Sequence, residues 1–375
     1  MNGQWIGRYS GSNSGRIVAD LDDRETHFEG PVTIYDDNQK MPFSWAYIKT
    51  PDRNTVFEIC LDVFPLDPRT GDPAPSWEQI TALFPPNISF PKKATASFSV
   101  DEDGRTLKVQ WKTDIGTFGA ASLPRSRAGE PSELVPRADV SCWGSFKSYL
   151  STLPHRRHIF RGQRDGRRLR TGFHRTGRAD LRRFLATDIQ TLHRHLTQWT
   201  SHIFNLGIPD QNGAFFNLAQ HHGYPTPLLD WTYSPYVGAF FAYRGIRESD
   251  AQKAEPDTTV RIFIFDQMRW REDYQQLSKI TGAPPHFSIM EFIAIDNARL
   301  IPQQSISSLT NIDDIEEYIQ TMESERKRYL EVVDLPISER SLVIRELSAM
   351  GVTAGSLFPG LDGACEELKE RFFRL

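Results

Sequence analysis

The chain has 375 residues, 39% of them hydrophobic and 25% charged, which excludes disordered and fibrous proteins and leads us to expect two domains. Its 44 Lys plus Arg against 48 Asp plus Glu give a formal charge of −4, the balance of an ordinary soluble protein. The average hides a division: −4 over residues 1–125 (13 basic, 17 acidic), +7 over 126–250 (17 and 10) and −7 over 251–375 (14 and 21).

Residues 1–125 read as an all-β accessory domain, a small barrel or sandwich, by alternation and turn spacing. Phe43-Ser-Trp45-Ala-Tyr47-Ile and Val56-Phe-Glu-Ile-Cys-Leu-Asp-Val are strand-like. Thr95 to Val100, Asp101-Glu-Asp-Gly104 and Arg105 to Trp111 predict a hairpin, because Asp-Gly supplies the left-handed position of a tight turn. The prolines from Pro65 to Pro91 predict a long interruption between strands.

Residues 126–139 lie in a Pro, Arg and Ser-rich stretch with neither period, and predict a linker. Residues 140–375 read as an α+β domain. Helical patterns start at Trp143 and run from Leu181 through Trp199. Short strands are expected at His158–Phe160, Arg261–Phe265 and Met290–Ile295, and closing helices near 311–332 and 337–350. A last short helix ends at Phe373 after Leu357-Phe-Pro-Gly-Leu-Asp-Gly363.

The amino terminus lacks a signal pattern, and the longest apolar runs fall far short of the ~20 residues of a membrane span, so no membrane partner is expected. Cys60, Cys142 and Cys365 are widely separated and form no CxxC, which argues against a disulfide framework or structural zinc. No metal site is expected, and the chain reads as cytoplasmic.

Two constellations could carry chemistry. Residues 156–183 hold eleven arginines against Asp165 and Asp180. A guanidinium fork pairs two phosphate oxygens at once, so this composition suits phosphate recognition; a salt-bridged face meeting the acidic last third explains it equally well. Aromatic residues are too sparse here for a groove that stacks single-stranded nucleic acid. Within the run, His158-Ile-Phe-Arg-Gly-Gln163 is a strand end with an arginine and a glycine that lets a ligand or another segment approach the backbone. The second constellation, Leu218-Ala-Gln-His-His-Gly-Tyr-Pro-Thr-Pro-Leu-Leu-Asp-Trp-Thr-Tyr-Ser-Pro235, crowds hydroxyls, histidines and an acid before an apolar helix, as a ligand-facing loop does. The plain alternative is that Asp230 or Ser234 caps that helix and Trp231 is core.

Phe160-Arg-Gly162, the QHHGYPTPLLDWTYSP block and Asn297-Ala-Arg-Leu-Ile-Pro-Gln303 resemble the FRG domain, a bacterial module named for its aromatic-Arg-Gly lead. The resemblance covers about residues 140–375. More distantly, the order of motifs is similar to ADP-ribosyltransferases of the Arg-Ser-Glu type. That likeness implies a split β core and an NAD-dependent enzyme. It implies Arg161 as phosphate clamp, with Gly162, Gln163, His221, Thr226, Thr232, Ser234, Tyr236 and Gln303 around the nucleotide. No QxE or ExE follows, so Asp230 and Glu291 are the acids that could serve catalysis beside Arg161. The implied acceptor is a protein or nucleic acid, and the implied setting a toxin or phage-defence effector. The alternative is a non-catalytic nucleotide- or protein-binding module.

Overall fold

In the structure, a computed structural model, residues 1–373 are described, so the last two residues of the expected second domain lie outside them. The first nine strands are β1 (Gly3–Gly11), β2 (Ser14–Asp23), β3 (Phe28–Asp36), β4 (Ser44–Lys49), β5 (Val56–Asp62), β6 (Phe64–Pro65), β7 (Lys93–Val100), β8 (Thr106–Thr113) and β9 (Phe118–Pro124). They form one sheet in the order β5-β7-β8-β9-β1-β2-β3-β4-β6, and its curvature brings β4 back beside β5. Of the two expected architectures it is the barrel, nearly closed. Alternate residues point inward, so Trp5, Leu21, Ile48, Leu107 and Leu123 make one packed core. The expected hairpin is β7–β8: the Gly104 amide donates to the Asp101 carbonyl at 2.9 Å, with φ of 70° at Gly104. The proline-rich interruption holds two short 3₁₀ turns, with Trp77 stacked on Phe90.

The second sheet comprises β10 (His158–Gln163), β11 (Leu228–Thr232), β12 (Thr259–Asp266), β13 (Phe287–Met290), β14 (Ser305–Thr310) and β15 (Leu330–Pro336), in the order β13-β14-β11-β10-β12-β15. Helices are α1 (Trp143–Leu150), α2 (Gly172–Arg175), α3 (Leu181–Arg183), α4 (Ile189–Leu196), α5 (Pro209–His221), α6 (Pro235–Tyr243), α7 (Glu248–Lys253), α8 (Gln267–Asp273), α9 (Ile315–Met322), α10 (Arg340–Ala349), α11 (Ala354–Leu357) and α12 (Leu361–Phe373). One face of the sheet, with Phe160, Ile262 and Val333, packs on α6, α1 and α10. The other, with Ile159, Trp231 and Phe263, packs on Trp270 and on Ile315 of α9.

Three expectations are corrected, and one helix was not expected. The helix expected near 311–332 is only α9. Residues 330–336 join β12 as an edge strand, where β-branched Val332 and Val333 are buried on opposite faces of the sheet. The strand expected at 290–295 ends at Met290, because the chain leaves the sheet to pack Phe292 against Gly213 of α5. The helix expected from Leu181 through Trp199 runs without a gap but widens into a π turn at Phe184–Asp188 and stops at Leu196. Helix α5 had no counterpart in the sequence reading, although Pro209 at its first turn and Phe215, Phe216 and Leu218 on its buried side signal it.

Residues 126–139 are fastened to the second sheet's body: the Ser132 amide donates to Gly166 and the Arg137 amide to Val332. The barrel meets that body at its closed end and also at the far end of β3, where Tyr35 Oη donates to the Ala283 carbonyl at 2.9 Å, and through Gly71, which packs on Gly282. Asn2 Nδ2 donates to the Gly177 carbonyl at 2.9 Å, and the buried Asp22 carboxylate accepts the Ala179 and Asp180 amides and Arg178 Nε.

Two buried histidines make this packing acid-sensitive. His174 Nδ1 lies 2.7 Å from Thr171 Oγ1, while Nε2 has no partner, and burial holds the ring's pKa down to about 4. His286 sits between Ser288 and the Lys279 carbonyl, and burial lowers it to about 4 as well. Both stay neutral in the fold but gain protons once unfolded, so stability is lost as pH falls from about 6.5 to about 4, by up to about 3 kcal/mol for each ring. Urea midpoints at pH 7 and pH 5 should show the drop, and His174→Gln should reduce it.

Candidate functional site

β10 pairs with β12 along its whole length, from His158 opposite Asp266 to Gln163 opposite Arg261. Its pairing with β11 is confined to Phe160 and Thr232. Beyond that pair the strands diverge, and Arg161 crosses the gap: its Nη1 donates to the Asp230 main-chain carbonyl at 2.7 Å. Arg161 is deeply set yet partly exposed. Burial first, and then the charge of Arg175, lower its pKa to about 10, and Asp230 opposes them.

The rest of the arginine run is mostly satisfied. Among the described residues, seven of the eleven form salt bridges: Arg157, Arg167, Arg168, Arg170, Arg178, Arg182 and Arg183. Their partners include Asp22, Glu29 and Asp72 of the barrel and Asp266, Asp313 and Asp314 of the last third. The run is therefore largely a seam between parts of the chain. Arg156 lies over the Tyr233 ring at 4.1 Å, and Arg161, Arg164 and Arg175 are outside the salt bridges.

Asp230 meets this clamp through its main chain; by strand alternation its side chain, between Leu229 and Trp231, leaves the sheet on the face opposite the one shared by Ile159, Arg161 and Phe263. Its Oδ1 is buried without a hydrogen-bond partner, and so are Arg161 Nε and Gln163 Oε1. Gln163 Nε2 donates to the Arg167 carbonyl at 2.8 Å. Orphaned polar atoms of this kind are costly; Arg161 and Gln163, two residues apart on one face of β10, and Asp230 on the opposite face leave hydrogen-bonding capacity on both sides of the gap between the strands.

The other expected residues are largely used by the fold. Gly162 faces α6: a Cβ there would stand 2.0 Å from the Gly238 carbonyl, so a helix rather than a ligand takes the close approach. Ser234 caps α6, accepting from the Val237 amide at 3.3 Å. Thr232 Oγ1 donates to the Gln303 carbonyl at 2.7 Å and accepts from the Ser234 amide. Thr226 donates to Gln220, and Tyr236 packs edge-on against Trp143. Gln303 Nε2 donates to the Leu357 carbonyl at 2.9 Å, tying the third motif to the tail. Glu291 is exposed and accepts from Tyr233 at 2.8 Å, with Arg271 at 3.5 Å; no contact joins it to Arg161 or Asp230.

His221 is the last residue of α5 and His222 caps its end, so the pair is not extended. His221 pairs with Asn297 Oδ1 at 2.9 Å, Asn297 donates to Asn217 at 2.6 Å, and Asn217 donates to Ser307 at 3.2 Å. Ser307 is the cross-strand partner of Asp230. This chain of buried amides was missed in the sequence; its one signal is Asn217 four residues before His221, on the same helical face.

Phe160-Arg-Gly162 and the block around Asp230 thus sit on adjacent strands that part beside an uncompensated arginine. Residues 156–251 match the FRG domain. That match spans β10 through most of α7 and includes both of the site's leading motifs, while Gln303 lies outside it. No curated protein matches the chain. A solved structure, a de novo designed fluorescence-activating beta barrel, is similar over 34% of this chain and 94% of its own, at 13% identity and a TM-score of 0.22. Among the described residues, no cluster of His, Cys, Asp and Glu could hold a metal ion, and no helix is long and apolar enough to cross a membrane.

Proposed function

We propose that the gap between β10 and β11 of the FRG domain binds the diphosphate of a nucleotide, NAD in the first place, and that the domain acts on it as an ADP-ribosyltransferase-like enzyme. The observation that carries this reading is Arg161, a deeply set guanidinium held by a main-chain carbonyl and, among the described residues, by no carboxylate. An arriving anion supplies the charge that the fold withholds, and the guanidinium fork suits two phosphate oxygens.

Arg161 Nε is an unused donor that suits a phosphate oxygen, whereas Gln163 Oε1 and Asp230 Oδ1 are unused acceptors that could take only the hydroxyl or amide hydrogens of such a ligand. Arg161 would hold the phosphates, with Arg175 adding positive charge. When bound, NAD supplies a nicotinamide–ribose bond whose cleavage builds positive charge on the sugar. Asp230 would oppose that charge and take the proton of the attacking group, on a protein or nucleic-acid acceptor or on water.

One observation favours the second reading, a nucleotide- or protein-binding module without chemistry: Glu291 is engaged at the surface with Tyr233 and Arg271, which leaves Asp230, whose main chain rather than whose carboxylate meets Arg161. Calorimetric titration with NAD and an assay of nicotinamide release separate the two. The wild type and Asp230→Asn should both bind NAD, and release should fall by about a hundredfold or more in the variant. Binding with no release from the wild type leaves the module; absence of binding removes both nucleotide readings.

A further inference from the structure

We propose that the amino-terminal barrel is a binding cup for a small uncharged molecule of one or two fused rings. The barrel's inward side chains form layers, and the layers differ. At the closed end Trp5, Leu21, Ile48, Leu107 and Leu123 are all at most 1% exposed and fill the interior. Two layers further along, the inward positions of β4 and β7 are Ala46, Ala94 and Ala96, and a cavity of 140 Å³ opens where longer side chains would have met. That is close to the roughly 150 Å³ at which an apolar protein cavity takes up benzene.

The wall is aromatic as well as apolar: Trp111, Tyr9, Phe98, Phe90 and Phe118 line it, and flat faces of this kind suit a planar ring. Tyr9 and Trp111 stand 5.5 Å apart at 60°, and Phe98 is stacked on Phe57 at 5.0 Å, so the faces are already held in place. The mouth is formed by the turns at Ser12–Asn13, Met41–Pro42, Ser89–Pro91 and Thr113–Thr117, and all of the described residues that line the cavity belong to the barrel.

Charge narrows the class of ligand. Among the described residues that line the cavity there is no Lys, Arg or His, and the one carboxylate is Asp36. Asp36 is occupied: Oδ2 accepts from Asn13 Nδ2 at 2.8 Å and from Tyr9 at 3.2 Å, and Oδ1 accepts from the Asn38 amide at 2.8 Å. An anionic headgroup, as on a fatty acid, would find no cation and would face this carboxylate; a cation would have to displace three hydrogen bonds. A neutral ring needs neither.

The test is calorimetric titration of the full chain with indole, naphthalene and indole-3-acetate. Indole and naphthalene should bind at one site per chain, and indole-3-acetate at least tenfold more weakly. Ala96→Leu, which fills the cavity, should reduce indole binding at least tenfold while the thermal midpoint stays level or rises. No saturable binding of indole to the wild type, equal binding of the acetate, or unchanged indole binding in folded Ala96→Leu would each overturn the proposal. Should Ala96→Leu not fold, Ala94→Leu nearer the mouth carries the same expectation, and the wild-type titrations decide regardless.

Discussion

Arg161→Ala should lower NAD affinity by about a hundredfold or more while leaving the protein folded. Two charge-assisted hydrogen bonds to phosphate oxygens, each worth about 1.5 to 3 kcal/mol, set that scale. Folding is spared because Arg161 is a deeply set cation with a carbonyl at 2.7 Å and, among the described residues, no carboxylate, so its removal relieves a largely desolvated charge and breaks no ion pair. Arg161→Lys keeps the charge but loses the planar fork, and its affinity should fall between those of the wild type and the alanine variant. Arg175→Ala should cost much less, because that side chain is exposed and solvent screens its charge. Calorimetry with NAD, alongside thermal unfolding of each variant, reads all three. If Arg161→Ala binds NAD as the wild type does, the phosphate-clamp reading fails.

How much of this was legible in the sequence depended on the range of the interactions involved. The β7–β8 hairpin was legible because Asp101 to Gly104 encodes its own turn within a few residues. The strand Leu330–Pro336 was not, since its β character is decided by pairing with β12, some seventy residues earlier. Arg161 and Asp230 could be named from motif chemistry, but the divergence of β10 from β11 after one residue pair could not be read from spacing. The arginine run shows the same limit from the other side. Its composition is compatible with a phosphate-binding face and with a salt-bridged seam alike, and only the positions of Asp22, Glu29, Asp313 and Asp314 decide that most of it is seam. Thr232, Ser234 and Gln303 carry the hydroxyl and amide chemistry of ligand contacts, yet local partners engage them in capping α6 and fastening the tail.

Gly162→Ala separates the structural and ligand-binding roles of the residue after the clamp. A Cβ at this position would lie 2.0 Å from the Gly238 carbonyl oxygen, 2.5 Å from the Ala242 amide and 2.9 Å from the Ala242 Cβ. The nearest two are backbone atoms of α6, which cannot turn aside as a side chain can, so β10 and the helix must part. Phe160, Ala239, Ala242 and Tyr243 belong to the same buried cluster, and separating them opens the core of the FRG domain. We therefore expect Gly162→Ala to destabilise the protein by about 3 kcal/mol or more, read from urea or thermal unfolding. Gly238→Ala is the matched comparison on the facing helix. There the nearest atom is the Phe160 Cβ at 3.1 Å, which a shift of a few tenths of an ångström relieves, and alanine gains about 1 kcal/mol of helix propensity in return. Its net change should stay within about 1 kcal/mol of zero. A stable Gly162→Ala protein that had lost NAD binding would reverse the assignment, making the glycine a door for the ligand instead of a seat for the helix.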